Sequence, residues 1–194
     1  MSDAKKKGVI REHPFTYDDY ANLDDGKRYE LVDGVLELMS PAPTPRHQMV
    51  SLEIHKNFLN SCEENYVILY APIDLILSDT MVRQPDIVLI HRDRFSEIVK
   101  KHGIVGPPDL VVEILSPSSV KRDKESKLET YERFSIPEYW IVDPNNRCIE
   151  QYVLDGERYA LPSVYAEDDK IQSDNIACAS FSMKEIMDNV LDIE

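Results

Sequence analysis

The sequence predicts an α/β fold: a mixed central sheet flanked by helices, with a β-hairpin before it and a second hairpin and a helix after it. Three observations carry this expectation. β-prone runs and helical patterns are interspersed without forming a βαβαβ array. Asp33-Gly34 and Asp155-Gly156 each separate two β-prone runs by two residues, the signal of a tight hairpin. PDLVVEIL is apolar enough to be a strand covered on both faces.

Taken in order, FTYDDYANL makes a short helix with Thr16 as its cap. RYELVDGVLELMS is the first hairpin, and its turn sets Val32 across from Val35 and Glu30 across from Glu37. Two directly opposed acids are unfavourable unless solvated or bridged by a cation, and an exposed hairpin face accounts for one of them. PAPTP breaks the chain, with Thr44 as a cap and Pro45 suited to the first helical position. In the helix over 46–64, His47, Val50, Ile54 and Phe58 share a face that Leu52, Leu59 and Cys62 widen. His47 there reads as a core histidine. YVILYAPIDLIL, MVRQPDIVLI and PDLVVEIL are three extended segments, followed by a helix over 119–134 and the core strand EYWIVD. CIEQYVL and ERYALP form the second hairpin, and FSMKEIMDNVL closes the chain as a helix. Residues 13–194 are read as one domain, and the polar, Lys-rich residues 1–12 as a flexible tail.

The formal net charge of −14 opposes loose, charge-driven association with nucleic acid, although a local basic patch could still bind it. No G-x-G-x-x-G or P-loop lysine is present, so nucleotide-binding folds have no motif to stand on. No segment reads as a membrane span or a signal peptide. The three cysteines, Cys62, Cys148 and Cys178, fit no zinc spacing and no disulfide framework. They are expected in the core of a cytoplasmic protein.

Within this frame two acids are out of place. Glu113 interrupts the apolar run of PDLVVEIL, and Asp86 stands at the start of the run Ile87 to Ile90. A carboxylate in such surroundings must be neutralised, paired or bound to a cation. Two of them side by side repel unless a proton or cation lies between them. Oxygen ligands without thiolate suit a hard ion such as Mg²⁺ or Mn²⁺. The next helix carries Val120, Lys124, Lys127, Tyr131 and Phe134 on one face, with Lys127 deeper than Lys124. Its buried stem can deliver an ammonium to the two acids. Acids, ion and lysine together form a phosphodiester-cleaving set, while a structural ion pair holding helix to sheet fits the same pattern. Lys121, Arg122 and Lys124 are expected to form a solvated basic turn.

The ordered series YELVDG, the histidine of the long helix, QPDIVLI, PDLVVEILSPSS and RDKESKLETYERFSIPEYWIVDP resembles a large bacterial, cyanobacteria-rich family of restriction-endonuclease-like proteins. That family lies within the PD-(D/E)XK nuclease superfamily, and the likeness runs from about Tyr29 to Pro144. The resemblance implies an αβββαβ core with helices 46–64 and 119–134 as its two helices. It further implies Asp86 and Glu113 as metal-binding acids, the main-chain carbonyl of Ile114 as another ligand, and Glu30 as an additional catalytic acid. Leu115 stands where the superfamily has its lysine; Lys127 matches a lysine that migrates to the helix in this family.

Two functions are therefore expected. One is a Mg²⁺- or Mn²⁺-dependent endonuclease acting on DNA, with Asp86, Glu113, Lys127 and Glu30 at its centre. The other is an inactive module of the same fold with a nucleic-acid-binding, regulatory or assembly role, favoured by Leu115 and the net charge. A homodimer is expected for cutting two strands.

Overall fold

Turn chemistry sets the first elements of the computed structural model, which describes residues 13–39 and 42–191. Asp33 and Gly34 take positive φ, 49° and 75°, as a two-residue hairpin turn requires. They join β1 (Tyr29–Val32) to β2 (Val35–Leu38), with Val32 opposite Val35 and Glu30 opposite Glu37 as expected. A Cβ on Gly34 would stand 2.3 Å from that of Pro14, so the incoming chain packs directly on the turn. Thr16 caps α1 (Tyr17–Ala21) in a reciprocal capping box with Asp19. The segment read as a tail, 1–12, lies outside the described residues.

Thr44 caps α2 (Pro45–Cys62), with Pro45 in the first turn. Val50, Ile54, Phe58 and Cys62 are buried, but Leu52 and Leu59 are 57% and 39% exposed, contrary to the expected wide apolar face. Leu52 lies about 200° round the helix from Val50, on a flank that packs on nothing among the described residues.

The long β segments do not stay whole. YVILYAPIDLIL divides into β3 (Tyr66–Tyr70) and β4 (Leu75–Ser78), and MVRQPDIVLI into β5 (Met81–Arg83) and β6 (Ile87–His91). Pro72, which follows a cis bond, and Pro85 lie at the two breaks. Proline cannot donate to a ladder, so each marks the place where the chain leaves one sheet for another. α3 (Phe95–Ile98), β7 (Val99–Lys100), β8 (Gly103–Val105) and β9 (Leu110–Ile114) follow. Instead of one central sheet there are two. The first runs β2-β1-β5-β4-β8-β7.

The second sheet holds the αβββαβ core. β3, β6 and β9 pair antiparallel in turn. The chain then passes through a π-helical segment (Arg122–Lys127) and α4 (Leu128–Arg133) before β10 (Glu138–Asp143) returns parallel to β9. β11 (Cys148–Asp155) pairs antiparallel with β10, and β12 (Arg158–Tyr159) and β13 (Ser163–Ala166) pair with β11. The helix expected over 119–134 is thus π-helical in its first half, and Val120 is 41% exposed instead of facing the core.

Alternation along the strands separates two apolar layers. Ile87, Leu89, Leu110, Val112, Ile114, Trp140 and Val142 pack with α2 and α5 (Met183–Met187). Val88, Ile90, Val111, Leu115, Tyr139 and Ile141 pack with Tyr131 and Ile136 on the other side. Ser182 caps α5 with a second capping box. The C-terminal segment is also tied to α2 by a Cys62–Cys178 disulfide, while Cys148 is free and half-buried. This corrects the expectation of three core thiols. Residues 116 apart in sequence leave no spacing motif, and only the fold brings them together.

Candidate active site

The period of two along β9 puts Glu113 on the face of Val111 and Leu115, toward α4. The register Ile87↔Val112 sets Asp86 beside Glu113 at the end of the β6–β9 ladder. Asp86 takes the place of a further ladder bond: its Oδ2 accepts from Ile114 N at 2.8 Å, while its own carbonyl accepts from Ala71 N. His47, from the first turn of α2, reaches round the sheet end. Its Nε2 lies 3.1 Å from both Asp86 Oδ2 and the Ile114 carbonyl oxygen. The expectation of a core histidine is overturned. Its register with Val50 and Ile54 is that of a core residue, but one turn from the N-terminus the helix has run past the sheet.

Lys127 arrives from the helical layer. Its Nζ donates to Glu113 Oε1 at 2.6 Å and lies 3.7 Å from Glu30 Oε1 and from Asp123 Oδ1. Tyr131, one turn on, donates its hydroxyl to the same Glu113 oxygen at 2.7 Å. Position 115 shares the face of Glu113, so a lysine there and a lysine on the overlying helix would reach the same space. Lys124, in contrast, pairs with Glu150.

Glu30 reaches this group from the other sheet. Its Oε2 pairs with Arg83 at 3.1 Å and its Oε1 accepts from Gln84 N at 3.0 Å. Arg83 is wholly buried and also donates to Ser126 Oγ and Thr130 Oγ1, at 2.8 and 2.7 Å. The cation required by the Glu30–Glu37 opposition is therefore Arg83, with Glu37 left exposed. Arg122 is half-buried, with its Nε 3.8 Å from Asp123 Oδ1, and is not part of a solvated turn. His47, Asp86, Glu113, Asp123 and Lys127 all border one cavity of about 110 Å³.

Acids outnumber bases at this point, and the titrations reflect it. Burial, with Asp86 and Asp123 adding to it, pushes the Glu113 carboxyl up to about 8 despite Lys127. Burial alone would lower Lys127, but Glu113, Glu30 and Asp123 outweigh it and hold the ammonium charged. Burial also works against the charge of Glu30, yet Lys127, Arg83 and the Gln84 amide keep it below the usual carboxylate range. His47 is raised, because the bond to Asp86 overcomes the cost of burial.

Among the described residues, no three His, Cys, Asp or Glu side chains form a ready metal cluster. The oxygen set here is smaller: Asp86, Glu113 and the carbonyl of Ile114. Its chemistry suits a hard cation. The His47 ring nitrogen bridges two of these three donors, with an N–H proton standing where positive charge is wanted. The residues fit such an ion.

Sequence reading singled out Asp86, Glu113, Ile114, Lys127 and Glu30, and the fold gathers all five around this cavity or its wall. It did not assign His47, Asp123, Tyr131 or Arg83 to the site. For Asp123 the available signal was its spacing of four residues before Lys127. For Arg83, buried and far away in sequence, nothing local marked it.

Comparisons with known proteins agree with this architecture. The family model Uma2, described as "Putative restriction endonuclease", matches residues 16–184. A solved structure of "a putative nuclease belonging to DUF820" from Anabaena variabilis ATCC 29413 superposes with a TM-score of 0.74. It is 18% identical, and the match covers 92% of this chain and 100% of that one, a likeness of fold. No curated protein matches. With the family model spanning most of its length, the chain belongs to the Uma2 restriction-endonuclease-like family.

Proposed function

We propose that this protein is an endonuclease that hydrolyses DNA phosphodiester bonds with Mg²⁺ or Mn²⁺. The observation that carries the reading is the meeting of Asp86, Glu113 and the Ile114 carbonyl with the Lys127 ammonium at one cavity. Asp86, Glu113 and Ile114 would hold the ion. When bound, the ion supplies charge neutralisation at the phosphate and a more acidic water. Lys127 serves the attacking water and the charge that develops on the phosphate. Glu30 is the auxiliary acid: it keeps Lys127 charged and, through Arg83, fixes the helical layer that carries it.

The inactive-module reading has one observation in its favour. Lys127 and Arg83 are each already paired with an acid, as in a structural network. A cleavage assay on plasmid and oligonucleotide DNA with Mg²⁺ or Mn²⁺ separates the two. Wild type should cut, and Lys127→Ala should lose about a hundredfold or more in rate while still binding the ion. Ion binding without any cutting by wild type would favour the module.

In this reading residues 13–194 act as one unit in the cytoplasm, where the substrate is. No helix among the described residues is long and apolar enough to cross a membrane. In a reducing compartment the Cys62–Cys178 bond would form only on oxidation. Two copies would bring two sites to two strands, and light scattering tests that dimer.

A further inference from the structure

Three buried side-chain polar atoms among the described residues lack a hydrogen bond: Arg83 Nε, Arg122 Nε and Asp123 Oδ1. All three belong to the network around Lys127. An orphaned buried polar atom needs an explanation, and for Asp123 a structural ion pair is a poor one. Asp123 is 2% exposed, yet its cationic neighbours stand off, with Lys127 Nζ at 3.7 Å and Arg122 Nε at 3.8 Å. Lys127 directs its short bond to Glu113 instead. A carboxylate placed to hold a helix together would close on one of these donors. Asp123 borders the cavity shared by Asp86, Glu113 and His47 and faces it with an unused acceptor.

We infer that Asp123 and Lys127 together hold the water that attacks the phosphodiester, and that Asp123 takes its proton. This rests on the nuclease reading and adds to it a residue and a role. A separation of 3.7 Å between Nζ and Oδ1 allows one water oxygen to lie within hydrogen-bond distance of both. A cavity of about 110 Å³ has room for several waters. The ammonium donates to the water oxygen, the carboxylate accepts one of its protons, and one lone pair is left free for attack. The water oxygen then bonds to phosphorus and the bond from phosphorus to the leaving sugar oxygen breaks. That oxygen takes a proton from solvent, while Asp123 receives the proton the water loses. The π-helical stretch over Arg122–Lys127 carries both partners, so the pair is set by one rigid element lying over the acids.

The test compares wild type with Asp123→Asn, which keeps the shape and loses the acceptor for a proton. Duplex oligonucleotide cleavage in Mn²⁺ is measured alongside Mn²⁺ affinity by calorimetry and duplex affinity. The expected result is a fall in single-turnover rate of about a hundredfold or more, with both affinities kept. A metal-free crystal structure of wild type, which needs no variant to fold, should show an ordered water bonded to both Lys127 Nζ and Asp123 Oδ1. Absence of that water, or cleavage by Asp123→Asn at the wild-type rate, would overturn the inference and leave the nuclease reading standing. Loss of Mn²⁺ or duplex affinity together with rate would also overturn it, by showing that Asp123 only maintains the site. No cleavage by wild type would sink both.

Discussion

Glu113 and Asp86 sit at the same sheet end but are held differently. Glu113 is gripped by two donors, Lys127 and Tyr131, from the layer above. Asp86 accepts from the backbone of the neighbouring strand. Asp86→Ala removes an ion-binding carboxylate and the acceptor of Ile114 N together, so calorimetry should show divalent-cation binding lost. Glu113 makes a pH-dependent prediction. Its folded carboxyl keeps its proton up to about 8, against an ordinary value of 4.5. A raised value means that the group's contribution to stability is complete below the ordinary value and lost as pH rises through about 8. Metal-free protein should therefore lose thermal stability across that window, and Glu113→Gln should flatten the loss. A hard ion needs the carboxylate bare, so cation affinity should climb by up to about tenfold per pH unit below about 8. Proton release measured in buffers of different ionisation enthalpy checks this.

At the scale of elements, Arg83 is the joint. From the end of β5 it binds Glu30 in β1 and the Ser126 and Thr130 hydroxyls of the helical layer. One guanidinium thus locks the N-terminal hairpin and the lysine-bearing helix to the second sheet. Removing one member of a buried pair strands the other's charge. Glu30→Ala and Arg83→Met should each destabilise by about 3–5 kcal/mol in urea denaturation. The double variant should lose less than their sum, because both remove the same interaction. The two proline breaks belong to this scale too. They let β5 and β6 enter different sheets, bringing Glu30 and Arg83 from one sheet to Asp86 and Glu113 of the other.

Across the whole molecule, the Cys62–Cys178 bond ties α2, which carries His47, to the C-terminal segment. Both anchor the apolar layer beneath the sheet. Cross-links closing loops this long stabilise folds by about 2–4 kcal/mol. Reduction should lower the melting temperature, and Cys178→Ser should remove the effect of the reductant. The net charge of −14 has its strongest local expression in the acids around Lys127. Their surplus favours a cation there and fits the binding of a hard ion before a phosphate.

Local chemistry alone determined the turns, the caps at Thr16 and Thr44, the α/β order and the two acids that no apolar strand tolerates unpaired. It also singled out Lys127, because a lysine among core positions must send its charge to some buried acid. Only the tertiary structure decided that two sheets form, that Cys62 meets Cys178, and that Arg83, Asp123 and His47 join the site. The reason is physical. Propensity and periodicity act over a few residues, whereas these partnerships depend on where distant chain segments cross. A buried charge declares in the sequence that it needs a partner, and the fold determines which one it finds.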